Sequence, residues 1–311
     1  IQADMANPAV ERMTMAIADP IGLSCALMTP FTASGTIDIP LLVRHAQRTL
    51  KGGCDSITVF GTTGEGPMIS TAERPAVFGA LEVAGFDMSR QIIGGVLTNA
   101  PDDAVDQCRM IYSHGCRAVL LAPPFYFPDP SEDGLFAWYS AVIGALGAEA
   151  RDIILYHIPQ FTGAALTIAL VSRLAKAFPG VIIGVKDSKG VWAETEARVK
   201  LHKDLQILVG NEADLAAAVR LGGKGSICGF ANFIAGSLRP VALEGKDHDD
   251  IARLGRVISG IHFLAAFKVL MAHAFGEPQW LNIRPPLSPL SAADAALAIQ
   301  RWTAEFGKKA A

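Results

Sequence analysis

The chain has 311 residues, of which 50% are hydrophobic and 18% charged, so it can bury a large core and is not expected to be disordered. A net charge of −3, without a lysine or arginine cluster before Lys308-Lys309, gives no reason to expect a nucleic acid partner. No uninterrupted apolar run reaches the roughly 18 residues of a membrane span. Five cysteines without a C-x-x-C pair favour a reducing compartment, the cytoplasm, over a disulfide framework.

The first segment, residues 1–19, is predicted to be a frayed lead-in. Asp4, Pro8, Glu11 and Arg12 interrupt it, and it lacks the apolar core of a signal peptide. From residue 20 onward, short apolar runs alternate with longer amphipathic segments. The predicted strands are 22–28, 56–60, 92–97, 118–122, 153–157, 181–186, 206–209 and 225–228. The predicted helices lie near 38–51, 71–85, 101–114, 134–147, 167–178, 192–202, 213–221 and 236–245.

Eight strand–helix units in a row predict an α/β protein with a parallel sheet, and eight is the number that closes a (β/α)8 TIM barrel. A doubly wound open sheet is the competing arrangement. The barrel, as the catalytic domain, is expected to occupy residues 20–247. Residues 248–311 are predicted to form a C-terminal helical extension packed on the barrel, with Ser291 as an N-cap and Asp294 in the capping-box position.

Lys186 is the most informative residue, because it ends the apolar strand 181–186 whereas the other lysines lie on predicted helices or in loops. An amine is nucleophilic only when neutral, and burial penalises its charged form, so such a lysine is a candidate for covalent chemistry with a carbonyl compound. The alternative is a lysine whose ammonium group reaches water along the strand end.

Two further strand ends carry candidate groups. Strand 56–60 leads into Gly61-Thr62-Thr63-Gly64-Glu65, where hydroxyls and backbone N–H groups can move protons and hold a carboxylate. Strand 153–157 carries Tyr156, whose phenol can transfer protons at a Schiff base, or which is instead a core tyrosine bonded to the backbone. His157 alternates to the other side of that strand and is predicted to be a buried histidine without a catalytic role.

Four motifs in order resemble those of the dihydrodipicolinate synthase/N-acetylneuraminate lyase family, which are pyruvate-dependent class I (Schiff-base) aldolases. The motifs are Gly61-Thr62-Thr63-Gly64-Glu65, Tyr156-His157-Ile158-Pro159 through Thr162-Gly163, Gly184-Val185-Lys186-Asp187-Ser188, and Gly222-Gly223-Lys224-Gly225-Ser226-Ile227. The resemblance covers roughly residues 20 to 290.

The resemblance implies a role for each matching position. Lys186 would form the imine with a 2-keto acid, Tyr156 and Thr62 would move protons, and Thr63 would hold the substrate carboxylate. Tyr126 matches a tyrosine that, in the family, reaches the active site of the neighbouring subunit across a tight dimer interface. The local alignment at this position needs one extra residue. The positions that would line the substrate pocket are Gly64, Phe161, Ser188, Gly210 and Ile227. The resemblance further implies a homo-oligomer built as a dimer of dimers, with a small 2-keto acid and an aldehyde as its partners.

No cofactor is expected, because the protonated imine itself is the electron sink. The histidines show no H-E-x-x-H or paired-ligand spacing, so no metal site is predicted.

Two positions depart from the pattern of dihydrodipicolinate synthases. Phe161 stands where those enzymes carry an arginine that grips the carboxylate of the aldehyde substrate, and His157 replaces an asparagine. A phenyl ring cannot replace that bidentate contact, so a 2-keto-3-deoxy sugar acid or a related keto acid, cleaved or dehydrated, is the favoured substrate. Dihydrodipicolinate synthase remains an alternative. N-acetylneuraminate lyase is another, because Asn211-Glu212 falls where that branch presents acidic residues to sugar hydroxyls.

Two other classes of function stay open. A non-catalytic member would bind a keto acid and act as a regulator, and a turnover assay separates it from an enzyme. A phosphate-binding barrel enzyme would carry a glycine-rich loop after strands seven and eight. Gly222-Gly223-Lys224-Gly225 precedes strand eight, so it is predicted to lie at the wrong end of the barrel.

Overall fold

The computed structural model describes residues 19–307 of the chain. The predicted lead-in therefore lies outside the described residues except for Asp19, as does Lys308-Lys309. Eight parallel strands close into a barrel in which each strand pairs with the next along the chain and the eighth pairs with the first. The strands are β1 Gly22–Ala26, β2 Ser56–Val59, β3 Ile92–Val96, β4 Ala118–Leu121, β5 Ile153–His157, β6 Ile182–Asp187, β7 Gln206–Val209 and β8 Gly225–Cys228. The predicted TIM barrel is confirmed.

Helices surround the barrel and continue beyond it. They are α1 Ile39–Lys51, α2 Arg74–Val83, α3 Met88–Gln91, α4 Pro101–Ser113, α5 Glu132–Leu146, α6 Pro159–Thr162, α7 Ile168–Ala177, α8 Trp192–Leu201, α9 Leu215–Arg220, α10 Ala231–Glu244, α11 Asp249–Ile258, α12 Phe263–Phe275 and α13 Ala292–Phe306. Short 3-10 helices cover Gly66–Met68, Thr71–Glu73, Gly147–Glu149, Glu212–Asp214 and Pro278–Leu281.

Two apolar layers form the core. One fills the barrel interior, where side chains from alternate positions of the strands meet; its members include Ile93, Leu120, Ile154, Leu208 and Ile227. The other lies between the strands and the surrounding helices and is much larger. Strands buried on both faces explain why the sequence shows continuous apolar runs instead of an alternating pattern.

The strand ends differ from the predicted ones for local reasons. β1 stops at Ala26, because the N–H of Met28 turns away to donate to the side-chain oxygen of Asn232 at 3.1 Å. β2 stops at Val59, because Phe60 takes a left-handed φ of 61°. Helix α6, which begins at Pro159 shortly after β5, is not among the predicted helices.

The C-terminal helical extension is present and is tied to the barrel. The side chain of Asn282 donates to the carbonyl of Phe31 at 2.8 Å, and Arg284 forms an ion pair with Glu73. Trp302 of α13 is fully buried. Ser291 caps α13 as predicted, accepting from the N–H of Asp294 at 3.0 Å.

No single helix within residues 19–307 has the length and apolarity that a membrane span requires. Helices α11 and α12 reach them only when taken together, and the chain bends by 109° between them.

Candidate active site

A cavity of about 350 Å³ opens at the carboxyl ends of the strands, the end at which barrel enzymes carry their catalytic groups. Most of the candidate residues line it: Thr62, Thr63, Tyr156, Phe161, Lys186, Ser188, Gly210 and Ile227. Gly64 and Tyr126 do not. The fold therefore brings together candidate residues from five different strand ends at one site.

A larger cavity of about 780 Å³ lies at the opposite end of the barrel, around Asp55, Arg117 and Asp152. No candidate residue lines it. Arg117 is occupied there by the backbone carbonyls of Asp19 and Pro20, to each of which it donates at 2.8 Å. Residues at this end of a barrel contribute to stability, so the smaller cavity is the candidate active site.

Lys186 lies in β6 and is only 4% exposed. Its Nζ donates to the hydroxyl of Tyr156 at 3.2 Å and lies 4.2 Å from the centre of that ring. In the described part of the chain, no carboxylate forms an ion pair with this amine. A buried amine that faces a phenol in an open cavity has the surroundings that a Schiff-base lysine requires.

Tyr156 stands directly opposite Lys186 in the pairing of β5 with β6 and is 2% exposed. Its hydroxyl also shares a hydrogen bond of 3.1 Å with the hydroxyl of Thr62. The three side chains form a continuous chain of exchangeable protons from amine to phenol to alcohol. Such a chain can deliver or remove a proton at an imine.

The loop that carries Thr62 and Thr63 has an unusual backbone. Glu65 takes a left-handed φ of 57°, and the N–H of Gly66 donates back to the carbonyl of Gly61 at 2.9 Å. A side chain at Gly66 would meet the carbonyl oxygen of Phe60 at 1.9 Å, so only glycine fits this tight turn. The turn directs Thr62 and Thr63 into the cavity.

Gly64 lies on the other side of this loop, away from the cavity. Its carbonyl accepts a hydrogen bond of 2.7 Å from the hydroxyl of Thr29. A side chain at this position would lie 2.6 Å from the carbonyl oxygen of Leu27. Gly64 therefore supports the loop by packing it against the end of β1, and Thr63 is the neighbour that lines the cavity.

A buried ion pair connects the same loop to helix α12. The Glu65 carboxylate lies 2.8 Å from the Nζ of Lys268 in α12, and both side chains are almost fully buried. Lys268 also donates to the carbonyl of Thr29 at 2.6 Å and lies over the ring of Phe31. Burial lowers the pKa of Lys268, and the Glu65 carboxylate partly offsets that effect. The sequence did not predict this pair.

Polar groups from the loops after β5, β6 and β7 form one wall of the cavity. Gln160 donates to the carbonyl of Ser188 at 2.7 Å, which joins the first two loops. Gly210 must be glycine, because a side chain there would lie 1.9 Å from the Ser188 hydroxyl. Asn211 lines the same wall and donates to Asp214 at 2.7 Å.

Glu212 contributes a carboxyl group to the cavity lining. Its Oε1 accepts a hydrogen bond of 2.9 Å from the N–H of Phe230. Burial raises the pKa of Glu212, while backbone donors and the positive charge of Lys186 pull that pKa down. The sequence placed Asn211-Glu212 near the substrate only through the resemblance to one branch of the family, and no local motif marked the carboxylate as part of the site.

Aromatic rings form a second wall of the cavity. Phe161, 54% exposed, packs edge-on against Phe263 with ring centres 6.0 Å apart, and Phe263 packs in turn against Phe267 at 5.9 Å. Phe230 completes this wall. Phe263 and Phe267 belong to α12, so the C-terminal extension supplies part of the site. The helical spacing of α12 indicated only a packed helix and could not reveal that role.

A buried polar cluster lies beside β5 and β6, outside the cavity. Asp187, which follows Lys186, accepts from the hydroxyl of Thr195 at 3.0 Å and lies 3.3 Å from the guanidinium of Arg198. His157 accepts from the N–H of Leu166 at 3.1 Å. Burial, assisted by the charges of Arg198 and Lys189, lowers the pKa of His157 to about 3, so this histidine is neutral near pH 7. As the alternation along β5 predicted, His157 does not line the cavity.

Tyr126 is 81% exposed and takes a left-handed φ of 89°. It packs edge-on against Phe127, which is also exposed. Two aromatic rings therefore project from the surface loop between β4 and α5, and neither lines the cavity of its own chain.

Within residues 19–307, no group of three or more histidine, cysteine, aspartate or glutamate side chains is placed to hold a metal ion. All five cysteines are free and buried.

Comparison with known proteins identifies the relatives of the chain. The model of the Dihydrodipicolinate synthetase family matches residues 19–291. A DapA-like lyase of Chloroflexus aurantiacus is 30% identical over 283 residues, which cover 88% of this chain and 93% of that protein. A 4-hydroxy-tetrahydrodipicolinate synthase of Chlorobium luteolum is also 30% identical, with 88% of this chain and 94% of that protein covered.

Solved structures give the same result for the fold. The crystal structure of dihydrodipicolinate synthase from Agrobacterium tumefaciens superposes with a TM-score of 0.89 and 46% identity, covering 92% of this chain and 99% of that one. A 2-keto-3-deoxygluconate aldolase of Sulfolobus superposes with a TM-score of 0.79 at 22% identity, covering 91% and 95% of the two chains. At that identity the likeness to the aldolase shows the fold alone.

Proposed function

Because this chain belongs to the dihydrodipicolinate synthetase family, we propose that it is a class I lyase that forms an imine between Lys186 and the keto carbon of a 2-keto acid. The observation that carries the proposal is the hydrogen-bonded chain of Lys186, Tyr156 and Thr62 at the base of the cavity. These groups supply a nucleophile and a route for its protons in one place.

In the proposed reaction each of these groups has one role. The neutral amine of Lys186 attacks the keto carbon, and Tyr156 gives a proton to the oxygen that leaves as water. Thr62 exchanges that proton with Tyr156. The hydroxyl and backbone N–H of Thr63 hold the carboxylate of the keto acid, and Ile227 lines the pocket beneath it. The protonated imine then accepts the electrons of the bond that breaks, so the chemistry requires no added cofactor.

The covalent step has a direct test. Incubation with pyruvate and borohydride should attach one pyruvyl-derived group per chain, and peptide mapping should locate it on Lys186. Lys268 provides an internal control, because it is equally buried but does not line the cavity. An adduct on another lysine, or none at all, would contradict the imine mechanism and would favour a keto-acid-binding regulatory protein.

For the substrate, we propose a 2-keto-3-deoxy sugar acid or a related keto acid that is cleaved or dehydrated. Lys186 is the only lysine or arginine among the described residues that line the cavity, and its amino group becomes part of the imine. No cation therefore remains to hold a second carboxylate. The hydroxyl of Ser188, the amide of Asn211 and the carboxyl group of Glu212 can instead bind hydroxyl groups of the aldehyde half.

The second candidate is the condensation of pyruvate with aspartate semialdehyde, which the names of the Chlorobium and Agrobacterium relatives favour. N-acetylneuraminate cleavage is a third candidate, because Glu212 contributes a carboxylate to the substrate wall. A panel assay separates them: pyruvate with several aldehydes in one direction, and 2-keto-3-deoxy acids and N-acetylneuraminate in the other. Condensation with the semialdehyde at rates above every sugar acid would contradict our assignment.

We further propose that the working form is a homo-oligomer, a dimer of dimers in the cytoplasm. Tyr126 and Phe127 expose two aromatic rings that do not serve their own cavity, and a second copy of the chain would cover them. The free, buried thiols fit a reducing compartment. Sedimentation velocity at assay concentration tests the assembly, and an active monomer would contradict a shared site. One structural relative is a monomeric variant of dihydrodipicolinate synthase, so membership of the family does not fix the oligomeric state and it has to be measured.

A further inference from the structure

We propose that the buried ion pair of Glu65 and Lys268 is a positioning device, which holds Thr63 where its hydroxyl and backbone N–H meet the carboxylate of the keto acid. The inference rests on the proposed function, since it concerns how the same site recognises that carboxylate. Neither Glu65 nor Lys268 lines the cavity, so both act through the loop that carries Thr63. A helix of the C-terminal extension therefore controls the affinity for the keto acid.

The ammonium group of Lys268 holds two partners that both lead to the residue after Thr63. It lies 2.8 Å from the carboxylate of Glu65 and donates to the carbonyl of Thr29 at 2.6 Å. The hydroxyl of Thr29 donates in turn to the carbonyl of Gly64 at 2.7 Å. These four residues form a closed ring of contacts, and the ring contains Gly64, which directly follows Thr63 in the chain.

The loop is fixed at two points, and Thr63 lies between them. On the side of β5, the hydroxyl of Thr62 shares a hydrogen bond of 3.1 Å with that of Tyr156. On the side of α12, Glu65 is held by Lys268. The turn between these points is closed by the N–H of Glu65, which donates to the carbonyl of Thr62 at 3.1 Å. Loosening the contact with α12 therefore shifts Thr63, while the contact of Thr62 with the phenol remains.

Helix α12 also borders the space around the Thr63 hydroxyl. A side chain added at Gly229 would lie 2.8 Å from the ring of Phe267 and 3.5 Å from the Oγ1 of Thr63. The ring and the hydroxyl therefore face the same narrow space at this glycine. Phe267 directly precedes Lys268, so two successive residues of α12 serve one purpose: the first packs beside the hydroxyl, and the second fixes the loop that carries it.

The charges of the pair suit positioning better than stability. Burying two charges is costly, and replacing a buried pair by neutral side chains of similar size is often neutral or stabilising. Within residues 19–307, neither carboxylate oxygen of Glu65 accepts a hydrogen bond beyond its contact with Lys268, so this contact alone orients the carboxylate. Contacts between charged groups are short and strong, so the pair holds the loop in one arrangement that a neutral pair would not enforce.

The test uses Glu65→Gln/Lys268→Met, which removes both charges together and leaves neither uncompensated. Imine formation is titrated by adding pyruvate, reducing with borohydride and measuring the labelled fraction of Lys186 by mass spectrometry. The half-saturating concentration of pyruvate should rise roughly ten- to a hundredfold, the range for loss of a hydrogen bond to a charged group. The maximal labelled fraction should stay close to wild type, because Lys186, Tyr156 and Thr62 are unchanged.

Methyl pyruvate separates recognition of the carboxylate from general damage to the site. This ester offers Lys186 the same keto carbon without the negative charge. The wild-type protein should prefer pyruvate, and the double variant should lose most of that preference, because only the pyruvate titration shifts. The matched control is Arg48→Met/Glu277→Gln, which removes an ion pair of 2.9 Å between α1 and the segment after α12. This control should keep the wild-type preference.

A second variant tests the other half of the ring. Thr29→Val removes the hydroxyl that donates to Gly64, creates no charge and keeps the size of the side chain. The preference for pyruvate over its ester should fall roughly two- to tenfold, the range for loss of a neutral hydrogen bond. This variant provides the measurement if the double variant does not fold.

Two outcomes would overturn the inference. A wild-type preference in the double variant, or in Thr29→Val where the double variant does not fold, would show that the pair supports only the fold. Equal shifts of the pyruvate and methyl pyruvate titrations would show a general disturbance of the site. Failure of the wild-type protein to trap pyruvate is a different result, because it would overturn the imine mechanism and this assignment with it.

Discussion

Two lysines are buried in this protein to nearly the same extent, yet their surroundings differ in kind. Lys186 ends strand β6, faces a phenol and opens onto a cavity. Lys268 lies in helix α12, faces the Glu65 carboxylate and a backbone carbonyl, and does not line the candidate active site. Burial alone therefore does not identify a nucleophile. The partner and the access of the substrate decide whether a buried amine reacts or supports the fold.

The largest effect is expected when the amine of Lys186 is removed. Lys186→Ala should lower kcat by about four or more orders of magnitude, because no other group can form the imine. Borohydride labelling should disappear. Circular dichroism and the midpoint of thermal unfolding should stay close to wild type, since this amine has no charged partner that would be left behind.

The partner of Lys186 is tested next. Tyr156→Phe should reduce kcat by about two to four orders of magnitude, the usual loss for a positioned acid–base group. Only the hydroxyl is removed, so the packing of the ring is retained. If this variant kept the wild-type rate, the phenol would have no role in the mechanism. Activity should survive incubation with strong chelators, which serves as a control for a metal-dependent route.

For Lys268, which supports the fold, we expect a loss of stability in place of the loss of activity expected for Lys186. Lys268→Met should lower the free energy of unfolding by about 3–5 kcal/mol, because it leaves the buried Glu65 carboxylate without its cation. Urea denaturation measures this loss. The double variant Lys268→Met/Glu65→Gln should recover most of it, as the uncompensated charge is then gone. A single variant as stable as wild type would show that the ion pair is not needed.

The smallest effect is expected from adding a cation to the cavity. Phe161→Arg should raise kcat/KM for aspartate semialdehyde roughly ten- to a hundredfold, which corresponds to about 1.5–3 kcal/mol for a charge-assisted contact. A matched Phe161→Met variant controls for loss of the aromatic wall. If both variants behave alike, the missing arginine does not explain the substrate preference.

The sequence predicted the parts of this molecule that depend on local pattern. Eight apolar runs separated by helical segments specified the barrel, and motifs at the strand ends specified Lys186, Tyr156 and Thr62. All three line one cavity, because the carboxyl ends of parallel strands meet at one edge of a barrel. The roles assigned to them remain predictions.

Features that depend on distant contacts were not predicted. The Glu65–Lys268 pair joins a barrel loop to the C-terminal extension, and nothing in either local sequence indicates the other. No local pattern singled out Phe263 and Phe267, although both line the cavity. Gly64 belonged to a motif with a substrate-facing neighbour, and only the backbone geometry showed that it faces away.

The Glu65–Lys268 pair also bears on the order of events during synthesis. Lys268 follows Thr29, the residue whose carbonyl it binds, by 239 positions, so a ribosome makes the whole barrel before it makes this lysine. Until then the loop with Thr62 and Thr63 has a buried carboxylate without its cation, and the cavity lacks Phe263 and Phe267, the two rings that α12 adds to its aromatic wall. A nascent chain stopped after strand β8 should therefore contain every proposed catalytic side chain and still be unable to hold its substrate.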